Sequence, residues 1–135
     1  LKYFSLNHYL YYYIHCLFEI GNYTESKKLL EKLLVDKSNE YQCNVELGYI
    51  EMVMNNYSKA IEYLNNAYAL QSLDPLVLKY LTFYYYMIKD EKNACNYFTT
   101  YRLITEDLER IDKITDIGEI EKYFESDVLF TNLLE

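Results

Sequence analysis

Turn-forming residues are scarce in this chain, with 3 glycines and 1 proline among 135 residues. A turn-rich β fold needs many of both, so the composition, dominated by Leu, Tyr, Glu, Lys and Asn, favours long helices. No apolar run approaches the ~20 residues that a membrane span needs. The first 20 residues are apolar and aromatic, but Asn7, His8, His15 and Glu19 interrupt them, and a basic leader region and small-residue cleavage site are missing. A core helix is therefore expected there rather than a signal. The chain begins with Leu1 and not Met, as expected of a piece of something longer or of a processed product.

Cysteine is equally sparse. Cys16, Cys43 and Cys95 form an odd set without CxxC spacing, which argues against a disulfide framework or a zinc site and for a reducing, cytoplasmic setting. All three read as small buried residues. Basic side chains are too few for the stripe that nucleic acid or an anionic membrane surface requires, so neither is expected as a partner. The net charge of −8 is uneven: residues 1–104 hold 11 acidic and 10 basic side chains, and residues 105–135 hold 10 and 3.

Catalytic signatures are missing as well. There is no phosphate-binding glycine loop and no GxSxG elbow, and most carboxylates fall on expected solvated helix faces. His8 and His15 are two helical turns apart and Glu19 follows His15 at i+4, a spacing that holds a metal poorly without further ligands. No catalytic residue, metal or cofactor is expected, and the chain reads as a non-enzyme.

What is present is a repeat. Residues 41–74 hold two helical patterns, the first carrying Leu47-Gly48 and the second Ala60, Leu64 and Ala67 at i, i+4, i+7. Gly48 in mid-helix costs about 1 kcal/mol against Ala, which is explained if a neighbouring helix approaches closely there. Sliding this unit by 34 residues gives ungapped copies at 7–40 and 75–108, with 1–6 as a lead-in, and a fixed period of this length marks a helical array. The columns agree: Ser26, Ala60, Ala94; Leu30, Leu64, Phe98; Tyr13, Leu47, Leu81. Asn22, Asn56 and Asp90 precede each second helix as N-caps, and Asp74-Pro75 opens the third unit.

The 34-residue unit, with Leu47-Gly48, Tyr57, Ala60 and Ala67, resembles the tetratricopeptide repeat. Leu81, Tyr85, Ala94 and Phe98 in the third unit, and Gly21 and Tyr23 in the first, occupy the family's columns. Departures are Ile14 and Thr82 for glycine, Asn44 for a large apolar residue, Glu51 for an aromatic, Tyr101 for a small residue, and a proline, Pro75, that falls three residues late. The bulk of Tyr101 argues against a standard fourth unit. The resemblance implies an all-α fold, an α-α superhelix built as a right-handed solenoid of antiparallel helix pairs. Residues 105–116 have helical spacing in Leu108, Ile111 and Ile114, and Asp116 precedes a run with Ile117, Ile120 and Phe124 on one face. Residues 109–135 are expected to be an acidic capping helical segment.

The resemblance further implies that the first helices line a concave groove that binds a protein or peptide partner. The residues it assigns there are His8, Tyr11, His15 and Phe18 from the first unit, Gln42, Val45, Tyr49 and Met52 from the second, and Lys79, Phe83 and Tyr86 from the third. This face is apolar and aromatic, suited to an extended or helical segment held by apolar contacts. The alternatives are that the stripe is simply core, or that the chain's own C-terminal segment covers it. Relatives that clamp chaperone C-terminal carboxylates use Lys, Asn and Arg; the corresponding Tyr11, His15, Glu46, Leu76 and Tyr80 supply no such clamp. The functional expectation is an adaptor, with a small acidic secretion-type chaperone or peptide-signal sensor, or a structural fragment or homodimer of a larger assembly, as the other readings.

Overall fold

A computed structural model describes the backbone of residues 2–37 and 39–135, and the side chains of residues 9, 10, 12–37 and 39–135. The described residues form eight helices: α1 (Lys2–Glu19), α2 (Tyr23–Val35), α3 (Glu40–Val53), α4 (Tyr57–Leu70), α5 (Pro75–Met87), α6 (Glu91–Thr105), α7 (Ile117–Tyr123) and α8 (Val128–Leu134). The first six pack as consecutive hairpins, α1 on α2, α3 on α4 and α5 on α6, and the hairpins stack through α2 on α3 and α4 on α5. The protein is thus all-α, a solenoid of stacked helical hairpins. None of the described helices is long and apolar enough to cross a membrane.

The turn inside each hairpin repeats in backbone detail. Gly21, Asn55 and Lys89, spaced by 34 residues, have positive φ of 82°, 63° and 63°. The next amide reaches back five residues each time, Asn22 to Leu17 O at 2.8 Å, Asn56 to Glu51 O at 2.7 Å and Asp90 to Tyr85 O at 2.9 Å. This closure satisfies the last carbonyls of the first helix and turns the chain to start the second. Only one of the three left-handed positions is glycine, so the geometry is set by the closure rather than by the residue.

Caps follow the expected column in two of three cases. Asn22 accepts from Glu25 N at 3.4 Å and Asp90 from Asn93 N at 3.2 Å. Asn56 makes no cap bond; its amide donates instead to Glu51 Oε1 at 3.2 Å, as does Lys27 Nζ at 3.2 Å. Glu51 is fully buried, and a buried carboxylate needs such donors. At the next junction Asp74 caps α5 through Leu76 N at 3.2 Å and also accepts from the Tyr41 hydroxyl, whose oxygen receives Val77 N at 3.3 Å. One tyrosine thereby ties the start of the second hairpin to the start of the third.

Packing explains the small residues. Ser26, Ala60 and Ala94 are fully buried, as are Leu30, Leu64 and Phe98. A Cβ on Gly48 would stand 2.5 Å from Leu64 Cδ2 and 3.5 Å from Ala60 O, so the close approach is made by the leucine side chain over the alanine backbone. In the third column Leu47 and Leu81 are buried but Tyr13 is 55 % exposed. Cys43 and Cys95 are buried, whereas Cys16, on the same side of α1 as Tyr13, is exposed; the expectation that all three cysteines are buried is corrected at that position.

The expected helix over 105–116 is not formed. Asp107 takes a φ of 51° and Leu108 N bonds Leu103 O at 3.0 Å, ending α6 with the same closure that ends the first helices. The chain then runs irregularly to Asp116, pinned by Ile114 N to Thr99 Oγ1 at 3.2 Å, and Ile114 is buried. Asp116 caps α7 through Gly118 N at 3.0 Å. Tyr123 and Phe124 then pack edge-on and tilted against Phe98, at 5.2 and 5.6 Å, and against Tyr101. The bulk of Tyr101 thus meets α7, where a further hairpin would otherwise stack. After the turn at 124–127 the chain leaves that end, and α8 packs against α3.

Candidate functional site

The first helices α1, α3 and α5 share an aromatic row. Phe18 meets Tyr49 edge-on at 5.5 Å, Tyr49 meets Tyr80 at 5.2 Å, and Tyr80 meets Phe83 at 6.1 Å. Phe18, Tyr49 and Tyr80 come from α1, α3 and α5 at a spacing of 31 residues, one helical turn short of the 34-residue repeat, so each ring reaches a neighbour one turn earlier on the next first helix. Tyr23, from the start of α2, closes the row at one end against Phe18 and Tyr49.

α8 lies across the third-unit end of this row. Phe130 sits 5.1 Å from Phe83, 5.2 Å from Tyr86 and 5.9 Å from Phe124. The Tyr49 hydroxyl donates to Leu129 O at 2.8 Å. Lys79 Nζ lies 2.6 Å from Asp127 Oδ2 and stands 5.8 and 5.9 Å from the Phe83 and Phe124 ring centres. The other oxygen of Asp127 caps α8, accepting Phe130 N at 3.0 Å. Nearer α7, the Tyr86 hydroxyl donates to Glu121 Oε2 at 2.5 Å.

The phenols report how dry this contact is. Burial, then the bond to and charge of Glu121, push the Tyr86 hydroxyl up to about 12. Tyr49 is held well above the ordinary range, chiefly by burial and then by Tyr23. Tyr80 is raised by burial, with Glu46, Tyr49 and Asp127 adding in that order. A neutral phenol that donates to a carbonyl or carboxylate is the form such surroundings favour.

The residues assigned to the groove separate into groups. Phe18, Val45, Tyr49, Met52 and Phe83 are at most 4 % exposed, so the open apolar lining expected of them is replaced by core and by contact with α8. Lys79 and Tyr86 are half-buried and touch the C-terminal segment. Gln42 is exposed. His15 has its Nδ1 3.1 Å from Glu46 Oε1 and its Nε2 3.4 Å from Glu19 Oε1. The side chains of His8 and Tyr11 lie outside the described residues. Among the described residues no group of three or more His, Cys, Asp or Glu is placed to hold a metal ion.

Several participants were not assigned to the site from the sequence: Tyr80, Glu121, Asp127, Leu129 and Phe130. The available signal was the spacing Asp127, Phe130, Leu133, a cap residue followed by apolar residues one turn and two turns on. Next to α8 a cleft of about 480 Å³ remains open, bordered by Tyr86, Met87, Lys89, Glu91, Ile117, Glu121 and Leu134.

No protein-family model matches the chain, and comparison with curated proteins and with solved structures finds no similar chain.

Proposed function

We propose that this chain is a protein-interaction module of tetratricopeptide-like hairpins whose concave face receives a short segment of a partner, without cofactor or catalysis and within the cell. The observation that carries the reading is the aromatic row from Phe18 to Phe83 with a helix already laid against it, gripped at Lys79, Tyr49 and Phe83. Helix-in-groove recognition uses this combination of apolar anchors and a few polar contacts. Cys16, Cys43 and Cys95 are not joined by a disulfide, which supports a reducing compartment.

Selection of a displayed library of short peptides against the chain, followed by chemical-shift mapping, tests the reading. Binders are expected to shift Tyr49, Lys79 and Tyr86. Binders that map only to the outer helices α2, α4 and α6, or no binder at all, overturn it.

A second reading, a structural unit of a larger assembly or a homodimer, is favoured by one observation. Tyr13 and Cys16 are exposed on α1, while Leu47 and Ile50, and Leu81 and Tyr84, one and two periods on, are buried. Light scattering at two concentrations distinguishes it: a constant monomer mass removes the homodimer.

A further inference from the structure

We propose that α8 occupies the groove as a stand-in for the partner, and that the partner is a short helix with an acidic N-cap residue, an aromatic three residues on and an aliphatic three beyond that. This rests on the groove reading above and names its ligand. In α8 the pattern is Asp127, Phe130, Leu133.

The groove reads each element of that pattern with a separate group. Lys79 takes the carboxylate, Phe83 and Tyr86 take the aromatic ring, and the Tyr49 hydroxyl takes a first-turn carbonyl, that of Leu129. The last contact requires the first turn of a helix to lie over α3. An extended peptide would not present its carboxylate, carbonyl and ring in this register.

α8 is also built to leave. It has seven residues, far short of the ~12–15 at which an isolated helix becomes even marginal in water, so it is helical because it is docked. Its link to α7 passes through Glu125 and Ser126, both exposed, while Phe124 stays packed on Phe98 and Tyr101. Release at that link removes Phe130 and Asp127 and leaves the Phe124 wall in place. It also leaves Lys79, which stands over the Phe83 and Phe124 rings, without its carboxylate partner, a state that favours an acidic replacement. Because the tether holds α8 at an effective concentration of order mM, a partner in trans binds with its affinity reduced by the fraction of molecules that are open.

The test titrates a labelled peptide of residues 126–135 into the full chain and into the full chain carrying Asp127→Lys. That substitution sets like charge against Lys79 at a half-buried site and opens no core cavity. The Asp127→Lys chain is expected to bind the peptide about tenfold or more tighter than the unmodified chain, as a larger open fraction requires. A peptide with Phe130→Ala is expected to bind about tenfold or more weaker, as loss of a buried aromatic anchor does. Equal affinity in either comparison, with the melting curve showing the variant folded, overturns the proposal. Should Asp127→Lys fail to fold, hydrogen exchange on the unmodified chain decides: saturating peptide must expose the α8 amides while α3–α6 stay protected, and continued protection of α8 overturns displacement. Library binders that map to the groove but lack the acidic-aromatic spacing sink this inference alone, whereas the absence of any groove binder sinks the groove reading with it.

Discussion

Lys79 and Asp127 meet at 2.6 Å through Nζ and Oδ2, while Oδ1 of the same aspartate accepts Phe130 N at 3.0 Å. One carboxylate therefore starts α8 and fastens it to α5. The two roles separate by substitution. Asp127→Asn keeps a capping oxygen and loses the charge, and should cost about 1 kcal/mol. Asp127→Ala loses both and should cost about 2–3 kcal/mol, given ~0.5–2 for a cap and up to ~1 for a pair that is partly shielded from solvent. Lys79→Met should resemble Asp127→Asn, and the double variant should cost less than the sum. Hydrogen exchange at Thr131 and the melting temperature measure this; equal effects of Asn and Ala would show that the cap contributes nothing.

Tyr49 and Phe83 separate in the same way. Tyr49→Phe keeps the ring among Phe18, Tyr23 and Tyr80 and removes the hydroxyl, which bonds Leu129 O and also meets the Tyr23 and Asn132 side chains, so it should cost about 1 kcal/mol and loosen chiefly α8. Phe83→Ala empties a fully buried site between Tyr80, Phe124 and Phe130 and should cost about 3–5 kcal/mol, felt across the protein. Urea unfolding and α8 exchange, measured together, check the contrast.

The reason Phe83 is a poor probe of binding is also the reason the groove was only half legible. The resemblance placed Tyr49, Phe83 and Tyr86 on one side of the first helices, and the 34-residue columns Ser26/Ala60/Ala94 and Leu30/Leu64/Phe98 are the buried ones. Periodicity reports which residues share a face; it carries no information about what covers that face. The covering depends on the route through 106–116, where Leu108, Ile111 and Ile114 have helical spacing but Asp107 breaks the helix at positive φ. Asparagine, lysine and aspartate hold that conformation here as glycine does at position 21, so the residue type gave no warning.

Gly48 offers a test of the inter-helix contact. In isolation Gly48→Ala would gain about 1 kcal/mol of helix propensity. Its Cβ would meet Leu64 Cδ2 at 2.5 Å and Cγ at 2.7 Å, and overpacking costs about 1–3 kcal/mol. Net destabilisation of about 1 kcal/mol is expected. In a Leu64→Ala background the same change should be neutral or stabilising, since the clashing atoms are gone. A chemical-denaturation cycle on the four proteins decides it, and additive effects would refute the contact.

The cysteines should differ in reactivity. Burial, and then the charge of Glu46, push the Cys43 thiol up to about 12, and burial raises Cys95. The thiolate is the reacting species, so both are doubly protected, by access and by protonation. Cys16 is exposed. Alkylation of the folded protein at mild pH followed by peptide mass mapping should label Cys16 alone, with Cys43 and Cys95 appearing only in denaturant. Labelling of Cys43 at a rate close to that of Cys16 would mean that α3 opens readily.

Alkaline stability follows from the buried phenols. Tyr86 is raised to about 12, and Tyr41, Tyr49 and Tyr80 are raised as well, each first by burial. An unfolded tyrosine ionises near ~10. Below that pH both states hold the proton and the contribution of these groups to stability is complete. As pH rises from about 10 towards 12 the unfolded chain loses protons that the folded chain keeps, so stability falls by linkage. Helical circular dichroism and tyrosinate absorbance should change together in that interval. Tyr86→Phe removes one of the linked groups without leaving a cavity, so it should move the transition to higher pH and weaken its steepness. A helical signal that persists unchanged through pH 12 would show that these phenols are not sealed in the folded protein.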